Sequence, residues 1–320
     1  MSEASASFAC FGSTCTIHVL GDLPGTSAAL AVRTAERRLL AWHRRFTRFD
    51  PSSELSRLNA DPASAVRVSD VMARFGRTVA AAGAHSGGLV DATMLHAIEA
   101  AGYRSDLRGS LPLDLALRLA PERRAAAASP NGGWRTVHVD PAGPTIVRPP
   151  GLALDSGGLA KGLFADLLGR ALGRHASFAV DCAGDLLLGG TAGIRRRIVV
   201  AGPFGEASLH VLERATGGVA TSGIGRRSWL DEDGRPAHHL LDPSTGRPAF
   251  TGVVQVTAVA PAALEAEMRS KAALLSGPAA ARNWLPDGGV IVYDDGTHEV
   301  VEAAVPRVLS ASSQGATSRT

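Results

Sequence analysis

Of the 33 basic residues in this chain only Lys161 and Lys271 are lysines. Where arginine is used so freely, a retained ammonium points to chemistry that a planar, permanently charged fork does not perform. Lys161 stands near the end of Asp155-Ser156-Gly157-Gly158-Leu159-Ala160-Lys161-Gly162. Leu152 to Leu154 before it reads as a strand, and Leu159 to Leu172 after it as an amphipathic helix. The glycines then open a helix N-terminus whose bare N–H groups suit a phosphate. A lysine in the first turn opposes the helix dipole, and an arriving anion relieves that conflict. The order is wrong for a Walker A loop, because Gly162 follows the lysine where Ser or Thr is required.

Lys271 lies four residues after Glu267 in Ala266-Glu267-Met268-Arg269-Ser270-Lys271-Ala272, so the two share one helix face. As an exposed pair they would contribute only about 0.3–0.5 kcal/mol. Leu264, Met268, Ala272 and Leu275 form an apolar stripe beside them, which predicts an ammonium partly buried against a partner. A third segment runs from Gly217-Gly218-Val219-Ala220-Thr221-Ser222-Gly223 through a charged hairpin to His238-His239-Leu240-Leu241-Asp242-Pro243-Ser244-Thr245-Gly246. Neighbouring strand residues face opposite ways, so one histidine is expected at a site and the other in solvent, an arrangement unsuited to a shared zinc. Asp-Pro-Ser-Thr-Gly is also a turn signal in its own right.

The elements that must position these groups are legible from periodicity. A strand is predicted from Phe8 to Val19. A helix capped by Ser27 follows, with Leu30, Ala31, Thr34, Arg38 and Ala41 at helical spacing. A turn from Arg48 leads into a short helix, and a longer helix is predicted from Ser69 to His85. Residues 104–133 read as a spacer with a Leu-rich helix at Leu113 to Leu119. Short strands follow at Thr136 to Val139, Thr145 to Val147, Ser177 to Val180, Ile198 to Val200, Leu209 to Leu212 and Val253 to Val259, with a last helix at Ala262 to Leu275. Irregular alternation of strands and helices predicts an α+β fold with mixed, mostly antiparallel sheets and packed helices.

Composition excludes several classes. A 320-residue chain with 45% hydrophobic and 20% charged residues can bury a full core, and a net charge of +3 with interleaved acids gives no nucleic-acid footprint. Arg195-Arg196-Arg197 reads as the solvated start of a strand. Cys10, Cys15 and Cys182 are too few for a disulfide framework or a zinc site and suggest a reducing compartment. Met1 to Ser5 lacks a basic n-region, no lipobox is read, and no apolar run reaches transmembrane length. Expected is a cytoplasmic protein without stable membrane insertion.

In order and spacing, Asp155 to Gly162 with Asp166, Ala220 to Gly223 and His239 to Gly246 resemble the ApbE family of FAD:protein FMN transferases. Phe11-Gly12-Ser13 resembles that family's Met-Gly-Thr. Ser52 to Asn59 resembles its Asp-Ser-Glu-Leu-Ser-Arg-Leu-Asn, and Gly87 to Thr93 its Gly-x-Phe-Asp-Pro-Thr. The resemblance covers residues 8–303 as a single domain and implies a T-fold-related architecture, leaving 304–320 as an extension expected to be disordered from 310. It implies an enzyme that cleaves the FAD pyrophosphate with Mg2+ and attaches FMN to a Thr or Ser of an acceptor protein of FMN-binding-domain type, releasing AMP.

By that resemblance Asp155, Gly157 and Lys161 contact FAD, and Gly158 offers a carbonyl to the metal. Asp91, Thr93 and Phe49 line the flavin or adenosine pocket, and Thr221, Ser222 and Leu240 close over it. His239 is base or positioning group. The sequence departs from the family at the metal-binding helix. Glu267 stands where Asp is common and Lys271 where the family has an oxygen ligand, while Ala183 replaces a usual glycine. Either Lys271 takes the metal's place, with Glu267 holding it or acting as base, or the metal site is lost. In the second case the chain is a non-catalytic FAD-binding protein. An FAD pyrophosphatase, with water in place of the acceptor, is the third reading.

Overall fold

The computed structural model describes residues 2–304 apart from 106, 108 and 207, so the tail expected to be disordered from 310 lies outside the described residues. Eight strands form the main sheet. Their order is Glu3–Cys10, Ser13–Leu20, Ser177–Cys182, Asp185–Gly189, Gly217–Gly223, Val253–Ala260, Gly289–Tyr293 and His298–Val301. Every neighbouring pair is antiparallel. The expected α+β class with antiparallel sheet is therefore what the chain adopts. It leaves the sheet after Leu20 and returns only at Ser177, which frees the intervening segment to build one side of a cavity.

Seven α-helices are present among the described residues: α1 (Ala28–Phe46), α2 (Glu54–Ala60), α3 (Asp70–His85), α4 (Leu95–Ala100), α5 (Leu113–Leu119), α6 (Ala160–Leu172) and α7 (Ala263–Ser276). Serine hydroxyls start the first three. Ser27, Ser53 and Ser69 accept from the N–H groups of Leu30, Ser56 and Met72, each satisfying a donor that the helix itself leaves unpaired.

The starts of α6 and α7 are capped differently, each by a carboxylate from the other helix. Asp166 of α6 accepts from the N–H groups of Ala263 (2.8 Å) and Leu264 (3.2 Å), while Glu267 of α7 accepts from Gly162 N (2.9 Å). Gly162 permits the crossing, since a Cβ there would sit 2.6 Å from Leu264 Cα. Helices α1, α6 and α7 cover one face of the sheet. Ile17, Val19, Phe178 and Val180 of the sheet are buried with Leu39, Phe164 and Leu168 in that layer.

Several sequence expectations are corrected. The single strand expected from Phe8 to Val19 is a hairpin, because Phe11 (φ 55°) and Gly12 (φ 67°) both take left-handed backbone and turn the chain. The buried stripe of α1 is Ala28, Ala31, Val32, Ala35 and Leu39, and Leu30 is exposed. Thr136 to Val139 begins as the end of a 3-10 turn, with only His138–Val139 in a strand. Leu152 to Leu154 joins no sheet. Its backbone is held by a side chain instead, Asn59 accepting from Leu154 N (2.8 Å) and donating to Leu154 O (2.9 Å). The spacer is tied to the core beyond α5, where Arg124 N and Ala126 N donate to the carbonyls of Phe250 and Leu275.

Candidate active site

The Asn59 clamp fixes the chain just before Asp155, whose N–H donates to the Ala92 carbonyl at 2.7 Å. Ser156 Oγ then donates to Phe46 O at the end of α1 (2.8 Å), and Gly157 N donates to Asp155 Oδ2 (3.2 Å). These bonds bring the glycine-rich turn, the end of α1 and the Leu89–Met94 loop around one cavity of about 360 Å³. Ligand pockets commonly have this size. The fourth side comes from Arg227 and His239–Leu241, and the fifth from Lys271 and Leu275 of α7.

Of the residues singled out in the sequence, Phe49, Asp91, Asp155, Gly157, Gly158, Lys161, His239, Leu240 and Lys271 line this cavity. Four do not. Thr93 stands behind Asp91, donating its N–H (2.8 Å) and its hydroxyl (2.6 Å) to Asp91 Oδ1. Thr221 and Ser222 belong to the sheet, hydrogen-bonded to Thr257 and Ser270 respectively, each at 2.8 Å. Glu267 is fully buried behind the wall. The turn Asp242 to Gly246 does not line the cavity either: Asp242 Oδ1 accepts from Ser244 N and Oγ and from Ala127 N.

Charged side chains stand out in a lining that is otherwise largely apolar. Arg48, Lys161, Arg227 and Lys271 line the cavity against two carboxylates, Asp91 and Asp155. Arg48 lies over the rings of Phe49 (4.4 Å) and Tyr103 (4.5 Å), donates to Tyr103 O at 2.6 Å and approaches Asp155 with Nε at 3.6 Å. Burial raises the Asp155 carboxyl, and the nearby Arg48 opposes that shift. Arg227 donates to the Phe11 carbonyl at 3.0 Å.

At the floor, Lys161 Nζ meets Asp185 Oδ2 at 2.5 Å and Lys271 Nζ meets Glu267 Oε1 at 3.2 Å. Lys161 is thus paired within the protein before any anion arrives. Asp185 is fully buried, and the desolvation of its carboxylate, reinforced by Glu267, pushes it up to about 7 against the opposing pull of both lysines. Glu267 is held below the usual carboxylate range by Lys271 and Lys161, against the opposing effect of burial.

His239 is the one histidine of the pair at the cavity. Its Nδ1 lies 3.4 Å from the Arg227 carbonyl, an acceptor only, which places the ring proton on Nδ1 and leaves Nε2 with a lone pair. Burial and then the charge of Arg227 hold this imidazole well below its ordinary value, so it is neutral at pH 7. His238 departs from the expectation of a solvated partner. It is buried against Phe250, its Nδ1 accepts from Leu240 N, and burial drives its pKa down to about 3.

Magnesium requires oxygen donors that are free to coordinate it. Both oxygens of Glu267 accept from donors of the protein, Gly162 N and Lys271 Nζ. The Lys271 stem lies along Gly158, where a Cβ would sit 3.4 Å from Cε. Among the described residues no three His, Cys, Asp or Glu side chains are grouped to hold a metal. A hard dication requires about six oxygen ligands, and an ammonium beside Gly158 repels it. The residues present do not fit magnesium.

Arg48, Arg227 and Asp185 were missed as site residues. Arg48 precedes the singled-out Phe49 and Asp185 stands two residues after the singled-out Ala183, but Arg227 carries no motif signal, and the roles of all three arise from which chain segment lies opposite. Among the described residues no helix is long and apolar enough to cross a membrane, and all three cysteines are buried free thiols.

The ApbE family model matches residues 11–293. The FAD:protein FMN transferase of Escherichia coli K12 is 31% identical over 150 residues, 45% of this chain and 42% of the relative. That of Salmonella typhimurium is 28% identical over 234 residues, 71% of this chain and 65% of the relative. The chain thus spans less than two thirds of the length of these curated relatives. Among solved structures, the ApbE protein of Thermotoga maritima superposes with a TM-score of 0.76 at 23% identity, over 94% of this chain and 97% of that one. The apo flavinyl transferase ApbE of Pseudomonas stutzeri gives 0.73 at 23% identity, over 94% and 95%. At these identities the likeness is one of fold.

Proposed function

The chain belongs to the ApbE family, and from that premise we propose that it is an FAD:protein FMN transferase. The observation that carries the reading is the single cavity in which a glycine-rich turn, four cationic side chains and an aromatic rim come together. The diphosphate of FAD meets the cations at the floor, and Phe49 and Tyr103 at the rim offer faces to a ring system. The acceptor is a Thr or Ser hydroxyl of an FMN-binding-domain type protein.

In the reaction the acceptor oxygen attacks the phosphorus on the FMN side of the anhydride. A new P–O bond forms, and the bond from that phosphorus to the bridging oxygen breaks. The bridging oxygen leaves with AMP, and nothing is oxidised or reduced. Neutral His239 takes the hydroxyl proton on Nε2, a role open to it because its other nitrogen is committed to Arg227. Lys161, Lys271, Arg48 and Arg227 hold and stabilise the phosphoryl charge. Glu267, buried and bonded through both oxygens, positions Lys271 and the start of α6 and is not the base. No step is routed through magnesium.

The test is to incubate the protein with FAD and an FMN-binding-domain acceptor, and to follow AMP by chromatography and FMN on the acceptor by mass. Wild type yields both in equal amounts, and His239→Gln lowers the rate about 10²–10⁴-fold. Free FMN with AMP and no labelled acceptor would identify a pyrophosphatase. Bound but uncleaved FAD in the presence of acceptor would identify a binding protein.

A further inference from the structure

The cavity floor is built from two ammonium groups facing inward, each anchored by a carboxylate standing behind the wall. Lys161 and Lys271 line the cavity, while Asp185 and Glu267 do not. The Lys271 anchor is the more elaborate. Glu267 holds Nζ through Oε1 at 3.2 Å, and its Oε2 is fixed in turn by Gly162 N at 2.9 Å. The carboxylate therefore cannot swing toward a ligand, and the ammonium is held at the glycine-rich turn before any ligand binds. Both residues are buried and stand i, i+4 with the acid first, the favourable order on a helix. An ammonium has three donors. One is spent on Glu267, and two remain for phosphate oxygens.

We infer that Lys271, positioned by Glu267, supplies the counter-charge for the diphosphate of FAD in place of a divalent metal, so that the chain binds FAD without magnesium. The identity of the anhydride rests on the transferase reading above. The misfit of the donor set carries the inference. The oxygens that would face a metal at this place are occupied by protein donors, and a cation already stands beside Gly158. Arg48, Lys161 and Arg227 in the same cavity supply further positive charge, so the single charge of Lys271 does not act alone. Lysine suits this position because its compact ammonium fits the narrow space between Glu267 and Gly158, which a planar guanidinium would not.

The test is equilibrium binding of FAD to the full chain, by flavin fluorescence, in excess EDTA and in millimolar MgCl2. Inorganic pyrophosphate serves as a competing probe. Wild type is expected to bind equally within about twofold in the two buffers, with pyrophosphate displacing FAD in EDTA. Lys271→Met alone strands a buried carboxylate, so the decisive variant is Glu267→Gln with Lys271→Met, which removes the pair as a unit. It is expected to weaken FAD binding in EDTA about 10- to 100-fold, the usual span for a lost charge-assisted hydrogen bond. Lys271→Arg, which keeps the charge but misplaces it, should fall between the two. Wild-type binding that requires added magnesium overturns the inference and leaves the transferase reading intact. A double variant that binds FAD as tightly as wild type in EDTA also overturns it. No FAD binding in either buffer overturns both.

Discussion

Glu267→Gln puts the anchoring role of this carboxylate to a direct test. Glu267 is 0% exposed and presents two acceptor oxygens to two donors, Gly162 N at 2.9 Å and Lys271 Nζ at 3.2 Å. Glutamine is the same size but has only one acceptor. If its oxygen faces Gly162, its NH2 meets the Lys271 ammonium donor to donor. If it turns round, the Gly162 N–H at the start of α6 is orphaned. Removing one partner of a buried ion pair costs about 3–5 kcal/mol. The Lys271 side chain is still 11% exposed at the cavity, which relieves part of its stranded charge and puts the expectation near about 3 kcal/mol. Adding Lys271→Met removes the stranded ammonium, and the double variant should recover to within about 1.5 kcal/mol of wild type. Urea unfolding at pH 7 without FAD, followed by far-UV circular dichroism, measures all three proteins. A loss below about 1 kcal/mol for Glu267→Gln, or a double variant no more stable than the single, would refute the anchoring role.

Gly162→Ala drives a Cβ to 2.6 Å from Leu264 Cα, backbone that cannot step aside, so urea unfolding should show a loss of about 3 kcal/mol. Ala183 sits at φ 59° in the turn between Ser177–Cys182 and Asp185–Gly189. Ala183→Gly should therefore gain about 0.5–1 kcal/mol, and a loss would show that the strain is not expressed. The Asp185 carboxyl stands near 7, faced by Lys161, Lys271 and Glu267, and a bound diphosphate adds negative charge that raises it further. The complex then holds more proton than the free protein, so FAD affinity should rise as pH falls from 8 toward 6. Titration of binding at pH 6, 7 and 8 checks this; Asp185→Asn should flatten the profile, and affinity rising with pH would contradict it.

The α+β class, the positions of α1, α3, α5, α6 and α7 and several of the strands followed from the sequence, because local periodicity and serine caps at Ser27 and Ser69 encode them within a few residues, whereas the sheet strands Asp185–Gly189, Gly217–Gly223, Gly289–Tyr293 and His298–Val301 did not. The glycine-rich turn, His239 and the Glu267–Lys271 spacing were equally legible, since each is a local pattern of residue types. The hairpin at Phe11-Gly12 was not, because a phenylalanine in left-handed backbone carries none of the usual turn chemistry. Nor was the burial of His238, which depends on Phe250 lying against it. What only the tertiary structure decided is who faces whom. Lys161 meets Asp185 and Gly162 meets Glu267 across the packing of α6 on the sheet and on α7, contacts that no local pattern of the chain announces. Sequence fixes residue type and local spacing, but the sign and strength of a charge's effect depend on distance and burial. These exist only once the sheet has formed and α6 and α7 have locked their starts together through Asp166, Gly162 and Glu267.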